Sequence, residues 1–227
     1  MVTVRQGGGR EASAGDHVGT LRLFVLGATG KTGGVLVAQA VAHGHSVTTF
    51  GRSLFTGSQS GEILSIVGDP MSPSELADAL PGHDAVLSVL GTRGLGATSV
   101  LEDGSRATIS AMRKTGVRRL VILSSALLDS HIGVINRIVS RTILRHFSSD
   151  QRAMEKLVTA SDLDWTVLRP PRMTDSAPDE QSTSTLDDPP DASGMVITKE
   201  EVARVMLDTV ENRRYIRELV HVRGAPR

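Results

Sequence analysis

Residues 21–33 read Leu-Arg-Leu-Phe-Val-Leu-Gly-Ala-Thr-Gly-Lys-Thr-Gly, an apolar run that passes directly into a glycine-rich turn. The run at 21–26 predicts a buried strand, and residues 32–42 predict the helix that follows it. Gly27, Gly30 and Gly33 permit a tight turn, so that a phosphate can approach the free N–H groups of the helix N-terminus. This stretch therefore predicts a dinucleotide-binding loop.

Two other interpretations of this turn compete with the first. One is a glycine-rich turn that only packs a helix against a strand. The other is a P-loop, because residues 30–32 supply its Gly-Lys-Thr ending. A P-loop requires a glycine five positions before Gly30, and Val25 stands there, inside the strand. The P-loop is rejected, and the strand-turn-helix context favours the dinucleotide loop over the packing turn.

Short apolar runs and amphipathic stretches continue to alternate along the chain. Further strands are predicted at 46–50, 62–67, 85–90, 119–123, 165–168 and 219–222, and helices from Ser72, at 99–114, at 149–160 and from Thr198. This alternation predicts an α/β fold, a Rossmann-type doubly wound parallel sheet in a single domain at 21–227. Residues 1–20 are expected to form a flexible tail, and 174–194 a surface loop.

The composition disfavours several classes of protein. Lys plus Arg and Asp plus Glu both number 25, so no basic field favours nucleic acid. The absence of cysteine excludes disulfides, thiolate metal sites and cysteine nucleophiles. No run of about 18 apolar residues or signal peptide is found, which predicts a cytoplasmic protein without integral membrane contact. The seven histidines lack ligand spacing, so no metal site is predicted.

Two residues beyond predicted strands are candidates for reading the adenosine half of a dinucleotide. Arg52 stands where an NAD-binding site usually has an acid, and its guanidinium suits a 2′-phosphate, which favours NADP(H) over NAD(H). The alternative is a solvent-exposed arginine. Asp69 is placed to accept a hydrogen bond from the adenine amino group, or it is an ordinary turn residue beside Pro70.

The ends of the next two strands are candidate walls of the active site. They read Leu-Gly-Thr-Arg-Gly at 90–94 and Ser-Ser-Ala at 124–126. Both are expected at the carboxyl edge of the sheet, near the point where the strand order reverses. Ser125 is a candidate for orienting a substrate or the nicotinamide amide, with a purely local hydrogen-bonding role as the alternative.

Five motifs together resemble the atypical short-chain dehydrogenase/reductase superfamily. They are the glycine motif at 27–33, Val-Gly-Asp at 67–69, Leu-Gly-Thr-Arg at 90–93, Ser-Ser-Ala at 124–126 and Leu-Arg-Pro-Pro at 168–171. Within that superfamily the chain is similar to the NAD(P)H-binding, NmrA-like proteins and to biliverdin-IXβ reductase/flavin reductase. The resemblance runs from about Leu21 to Val222.

The resemblance implies a monomer that uses NADPH to reduce a flat conjugated small molecule such as a flavin, bilin or quinone. The cofactor-binding residues that it implies are Gly27, Thr29, Gly30, Lys31, Thr32, Arg52, Asp69, Gly91, Thr92, Arg93, Ser124, Pro170, Pro171 and Met173. Ser125 and Arg172 are the candidate catalytic residues. Thr56 and Arg172 replace an arginine and a histidine of biliverdin-IXβ reductase, so we expect one basic contact to the 2′-phosphate and a different substrate pocket.

The acid/base pair of classical family members is missing. Their Tyr-x-x-x-Lys helix corresponds here to residues 150–156, Asp-Gln-Arg-Ala-Met-Glu-Lys, and Tyr215 is the single tyrosine. This disfavours alcohol–carbonyl redox and epimerase chemistry, whereas a flavin or bilin can accept hydride by proximity and stacking. The missing tyrosine also favours the alternative function, a non-catalytic NADP(H)-binding redox sensor.

Residues 132–147 predict a basic amphipathic helix with Arg137, Arg141 and Arg145 on one face. The first interpretation is a helix packed over the edge of the active site with a solvated arginine face. The others are attraction of an anionic substrate, contact with a membrane surface, or docking of a protein partner.

Overall fold

A computed structural model of the chain describes residues 19–57, 63–91, 99–126, 145–175, 184–185, 195–222 and 225–226. Strands and helices alternate through these ranges. In chain order they are β1 (Arg22–Leu26), α1 (Lys31–Ala42), β2 (Ser46–Gly51), β3 (Ile63–Val67), α2 (Pro73–Ala79), β4 (Ala85–Ser88), α3 (Val100–Thr115), β5 (Arg119–Leu123), α4 (Arg145–Thr159), β6 (Asp164–Arg169), β7 (Arg172–Thr174), β8 (Ser184–Thr185), β9 (Met195–Thr198), α5 (Lys199–Glu211), β10 (Glu218–Val222) and β11 (Ala225–Pro226).

The main sheet has the strand order β3-β2-β1-β4-β5-β6-β10-β8. All neighbours in it are parallel except the short strand β8, which pairs antiparallel with β10. Leu26 of β1 aligns with Phe50 of β2 on one side and with Ser88 of β4 on the other. The chain order therefore reverses between β1 and β4, and the predicted Rossmann-type fold is confirmed.

Two apolar layers cover the sheet because alternate side chains of each strand point to opposite faces. Leu23 and Val25 of β1 pack with α1 and α5, whereas Phe24 and Leu26 pack with α2, α3 and α4. The packing of α1 against α5 includes a hydrogen bond of 3.0 Å from Gln39 Nε2 to the carbonyl of Glu200. Helices on both faces leave the strand ends as the open edges of the molecule.

The predicted helix ends are largely confirmed by hydrogen bonds. Ser72 Oγ accepts the N–H of Glu75 at 3.4 Å, and Thr198 Oγ1 accepts the N–H of Glu201 at 3.1 Å. Gly44 follows α1 with φ 83°, and its N–H donates to the carbonyl of Val41 at 2.9 Å. This left-handed residue reverses the chain between α1 and β2, as the sequence predicts.

Several predicted boundaries are corrected. α4 already includes residues 145–148, ahead of the predicted start at Ser149; positions 132–144 of the predicted basic helix lie outside the described residues. The predicted loop at 174–194 contains the end of β7 at Thr174 and the strand β8, and β9 begins directly after it at Met195. Pairing with distant strands forms these segments, and their polar composition does not reveal it. Most of the expected tail, residues 1–18, likewise lies outside the residues that the structure describes.

The turn between α5 and β10 carries three non-glycine residues at positive φ, Arg213 at 47°, Tyr215 at 56° and Arg217 at 61°. Buried Arg119 of β5 supports this turn by donating to the carbonyl of Arg214 at 2.9 Å. Burial lowers the pKa of Arg119 to about 10, so the guanidinium stays charged at neutral pH. The turn lies at the amino-terminal edge of the parallel strands. No helix among the described residues combines the length and the apolar character needed to cross a membrane.

Candidate nucleotide-binding site

The loop between β1 and α1 requires glycine at two positions for steric reasons. Gly27 has φ 85°, and a Cβ on it would lie 2.5 Å from the carbonyl oxygen of Val89. A Cβ on Gly33 would lie 2.2 Å from the carbonyl oxygen of Gly27. A side chain at Gly27 would push the loop away from the end of β4, and one at Gly33 would push α1 away from the loop. The glycines thus hold α1 tightly against the switch point of the sheet.

The N-terminus of α1 is open toward the carboxyl edge of the sheet. Gly30 precedes the helix and provides no side-chain cap, and the first turn contains no acidic residue. Thr29, Gly30 and Lys31 are exposed. Free N–H groups, the positive end of the helix dipole and a lysine therefore meet at one accessible point, which suits a pyrophosphate.

A carboxylate already contacts this lysine. Asp175, which follows β7, accepts a hydrogen bond from Lys31 Nζ at 2.8 Å and another from Lys199 at the start of α5. These two hydrogen bonds lower the pKa of Asp175 to about 2, so it is ionised at neutral pH. Sequence reasoning missed Asp175 and Lys199, because Asp175 lies 144 residues from Lys31 and no local pattern connects them.

The adenosine side of the site lies along β2 and β3. Arg52 follows β2 directly and is exposed; none of the hydrogen bonds or ion pairs found among the described residues involves its guanidinium. Asp69 follows β3, and its Oδ1 accepts the N–H of Met71 at 3.0 Å, which confirms the turn role. Arg52 and Asp69 both lie at the carboxyl edge, as expected. Their contacts to a cofactor stay predictions.

The hydroxyl of Ser124 belongs to a buried polar network. It donates to Glu155 Oε1 of α4 at 2.6 Å, and Arg169 at the end of β6 donates to both oxygens of the same carboxylate at 2.9 and 2.6 Å. Ser124 and Glu155 are buried. This network joins the carboxyl ends of β5 and β6 to α4. The predicted contact of Ser124 with a nicotinamide stays a prediction, because the structure gives its hydroxyl another partner.

The two-proline segment lies across from the glycine loop. The carbonyl of Pro170 accepts the N–H of Ala126 at 2.9 Å, and Thr32 Oγ1 lies 3.9 Å from Met173 Sδ. The latter contact brings together two predicted site residues that are 141 positions apart. Pro170 and Pro171 are buried, and Met173 is half-buried.

The remaining predicted site residues are distributed along the same edge. Ser125 is half-buried and Arg172, in β7, is exposed. Gly91 follows β4 and is exposed, and a Cβ on it would meet no atom of the described residues within 4 Å. Thr92 and Arg93 lie outside the described residues.

Tyrosine chemistry is absent from this edge. Tyr215, the single tyrosine of the chain, lies just before β10, and its carbonyl accepts from Thr166 Oγ1 at 2.7 Å. Because β10 runs parallel to β6, this position is at the opposite, amino-terminal edge. Arg152 stands four residues before Lys156, where the classical pair has its tyrosine, and it is exposed on α4.

A doubly wound sheet with a glycine loop at its switch point defines a Rossmann-type dinucleotide-binding protein. The sequence matches the NAD(P)H-binding family over residues 27–213, and the chain belongs to this family. It is 28% identical over 161 residues to UPF0659 protein YMR090W of Saccharomyces cerevisiae, covering 66% of this chain and 69% of that protein. It is 24% identical over 204 residues to the uncharacterized sugar epimerase YhfK of Bacillus subtilis, covering 85% and 89%.

Solved structures share this fold over nearly the whole chain. The oxidoreductase ylbE of Lactococcus lactis has a TM-score of 0.76 at 19% identity, covering 91% of this chain and 92% of that one. A putative NADH-flavin reductase of Streptococcus pneumoniae has 0.73 at 20%, covering 90% and 100%. The anaerobilin reductase ChuY of Escherichia coli O157:H7 has 0.72 at 16%, covering 89% and 97%. The predicted resemblance is confirmed at the level of family and fold.

Proposed function

We propose that this protein is an NADPH-dependent reductase that transfers hydride directly to a flat conjugated acceptor such as a flavin, bilin or quinone. The observation that carries the proposal is the open N-terminus of α1, with Lys31 beside it and Arg52 at the end of the adjacent strand. One anion fits the helix end, and a second fits the guanidinium. NADPH carries both of these anions, whereas NADH lacks the 2′-phosphate.

Each part of the cofactor has candidate contacts in this chain. The glycine loop, with Thr29, Lys31 and Thr32, would hold the pyrophosphate, Arg52 the 2′-phosphate and Asp69 the adenine. Residues 91–93 and 124–125 with Pro170, Pro171 and Met173 would border the nicotinamide. When bound there, NADPH supplies the hydride. Half-buried Met173, beside the two prolines, offers an apolar surface against which a flat ring can stack.

The acceptor class follows from the lack of an acid/base pair. Arg152 stands in the position of the tyrosine, and the Ser124 hydroxyl is engaged by Glu155. A flavin or bilin needs only proximity and stacking for hydride transfer, with its proton drawn from water. The names of the flavin and anaerobilin reductases with this fold support the same class. We assign Ser125 to orienting the acceptor or nicotinamide, and exposed Arg172 to an anionic group of the acceptor.

The reductase proposal is tested by titrating the protein with NADPH and with NADH, then adding FMN or biliverdin and following loss of nicotinamide absorbance. We expect tighter binding of NADPH and steady oxidation that depends on the acceptor. Saturable NADPH binding without turnover across a broad acceptor panel would refute the reductase.

The cofactor preference is tested at one residue. Arg52→Ala removes a charged hydrogen-bonding partner, so we expect the Kd for NADPH to rise about tenfold or more, with that for NADH nearly unchanged. Arg106→Ala replaces an exposed arginine of α3 and serves as the control, for which we expect both dissociation constants to be unchanged. Equal losses for the two cofactors in Arg52→Ala would show that this residue does not read the 2′-phosphate.

The second candidate function is a non-catalytic NADP(H)-binding redox sensor. The observations in its favour are the missing tyrosine of the Tyr-x-x-x-Lys pair and the Ser124 hydroxyl, which Glu155 already engages. A sensor would bind NADP⁺ and NADPH with different affinities and oxidise neither. The name of the Bacillus subtilis relative includes an epimerase activity, which also requires an acid/base group. The missing tyrosine weighs against epimerase activity in this chain.

A further inference from the structure

Three metal-ligating side chains meet at the amino-terminal edge of the sheet. His43 follows α1, His45 precedes β2, and Glu211 is the last residue of α5. His43 Nδ1 lies 2.7 Å from Glu211 Oε1, and His45 Nε2 lies 2.9 Å from the same oxygen. We propose that this His43–His45–Glu211 cluster binds a divalent transition-metal ion such as Zn²⁺. The proposal is independent of the reductase activity.

The donor set and its spacing suit zinc. Two imidazole nitrogens and one carboxylate oxygen form a common zinc ligand set, with a fourth position left for water. One ligand atom from each residue lies within 4.8 Å of the others. Ligands of a tetrahedral zinc ion stand about 3.3 Å apart, given bonds of about 2.0 Å. Each histidine nitrogen must therefore move a few tenths of an ångström away from the Glu211 oxygen to make room for the ion.

The electrostatic surroundings also favour a cation. The C-termini of α1 and α5 meet at this point, and the ends of two helix dipoles place partial negative charge there. Neither helix has a basic residue of its own in its last turn, although Arg119 of β5 donates to the carbonyl of Thr209 in α5 at 3.1 Å. The side chains of His45 and Glu211 are only 2% and 13% exposed, whereas that of His43 is 45% exposed and gives access from solvent.

A hydrogen bond on the far side of the His45 ring lets the proposal predict a change in the tautomer of this histidine. The N–H of Leu21 donates to His45 Nδ1 at 3.3 Å, so in the metal-free protein the ring carries its proton on Nε2 and donates it to Glu211. A neutral imidazole that binds metal through Nε2 carries its proton on Nδ1. Metal binding therefore moves this proton across the ring, and the Leu21 amide must turn away from it.

The site lies far from the nucleotide loop. α1 has 12 residues, so the cluster and the glycine loop are separated by about 18 Å along the helix axis. A metal ion here joins α1, β2 and α5 without touching the proposed cofactor. Its expected effect is therefore stabilisation of the fold that grows with metal concentration.

The test uses the full chain without an affinity tag, stripped with a chelator and titrated calorimetrically with ZnCl2, with MgCl2 as the comparison. We expect one Zn²⁺ per chain, no Mg²⁺ binding and a rise in Tm with zinc. His43→Ala and Glu211→Gln each remove a direct ligand, and we expect the Kd for Zn²⁺ to rise at least about 100-fold. Glu218→Gln, at an exposed carboxylate that opens β10, is the matched control and should bind Zn²⁺ as the parent does.

The circular dichroism of each variant establishes that it is folded, and His43→Ala is the safer variant because His43 is half-exposed. Absence of saturable zinc binding, or undiminished binding in folded His43→Ala, would show that the cluster is a hydrogen-bonded contact only. Nitrogen NMR of the imidazole rings gives an independent measure. We expect zinc to move the His45 proton from Nε2 to Nδ1 and to shift the Leu21 amide; bound zinc with an unchanged His45 tautomer would overturn the site.

Discussion

At the scale of single residues, the buried Glu155 carboxylate depends on its hydrogen-bonding partners for stability. Its partners are the Ser124 hydroxyl and the Arg169 guanidinium, and the Arg169 and Glu155 side chains are only 16% and 9% exposed. Removing one member of a buried ion pair leaves the other desolvated, which costs more than the pair itself contributes.

Glu155→Ala therefore should lower the free energy of unfolding by about 3 kcal/mol, measured by urea denaturation. Glu102→Ala is the control, because its pair with Arg106 is on the surface, where such pairs contribute about 0–1 kcal/mol. Losses of equal size in the two variants would mean that Arg169 does not depend on this carboxylate.

At the scale of elements, two adjacent glycines of α1 allow a test of how closely this helix must pack against the nucleotide loop. Gly33 and Gly34 are neighbours in this helix, but a Cβ would meet the Gly27 carbonyl oxygen at 2.2 Å from Gly33 and only the Ala28 carbonyl oxygen at 3.9 Å from Gly34. The two positions thus differ in the space around them and share the same helical backbone.

Gly33→Ala should destabilise the protein and weaken NADPH binding, because the start of α1 must move away from the loop. Gly34→Ala should leave binding unchanged and raise stability by up to about 1 kcal/mol, the usual gain for alanine over glycine in a helix. Thermal unfolding with and without NADPH measures both effects. A Gly33→Ala protein that binds NADPH normally would show that the close approach is dispensable.

The sequence predicts the central elements well and the long-range contacts poorly. The strand at 119–123 and the caps at Ser72 and Thr198 follow from local patterns, and the structure confirms them. The partner of Lys31 and the meeting of His43 with Glu211 depend on chain segments more than 140 residues apart. The spacing of the seven histidines predicts no metal site, because the carboxylate of the proposed His43–His45–Glu211 cluster comes from a distant helix.

At the scale of the whole molecule, Asp175 joins the two halves of the chain across the proposed phosphate site. It contacts Lys31 of α1 and Lys199 of α5. Because the pKa of Asp175 is lowered to about 2, the carboxylate is charged throughout the physiological range; its contribution is lost only as the pH falls through about 2. A bound phosphate must therefore compete with this carboxylate for Lys31.

Asp175→Asn should tighten NADPH binding several-fold at low ionic strength, with the gain shrinking as salt is added. Asp162→Asn, an exposed aspartate at the amino-terminal edge of β6, is the control for a general change in net charge. Fluorescence titration at two salt concentrations measures the effect. Weaker binding in Asp175→Asn would mean that the carboxylate positions the lysines for the cofactor.

The packing of α5 on α1 has a consequence for how the protein is made. α1 begins at residue 31, yet the helix that packs against it begins at residue 199, so all the residues between them must leave the ribosome before this contact can form. Until then, the side of α1 that will contact α5 is exposed to solvent. Contacts of such long sequence separation slow folding and lengthen exposure to aggregation. The long separation between α1 and α5 in the sequence therefore favours capture of the nascent chain by chaperones until α5 has been synthesised.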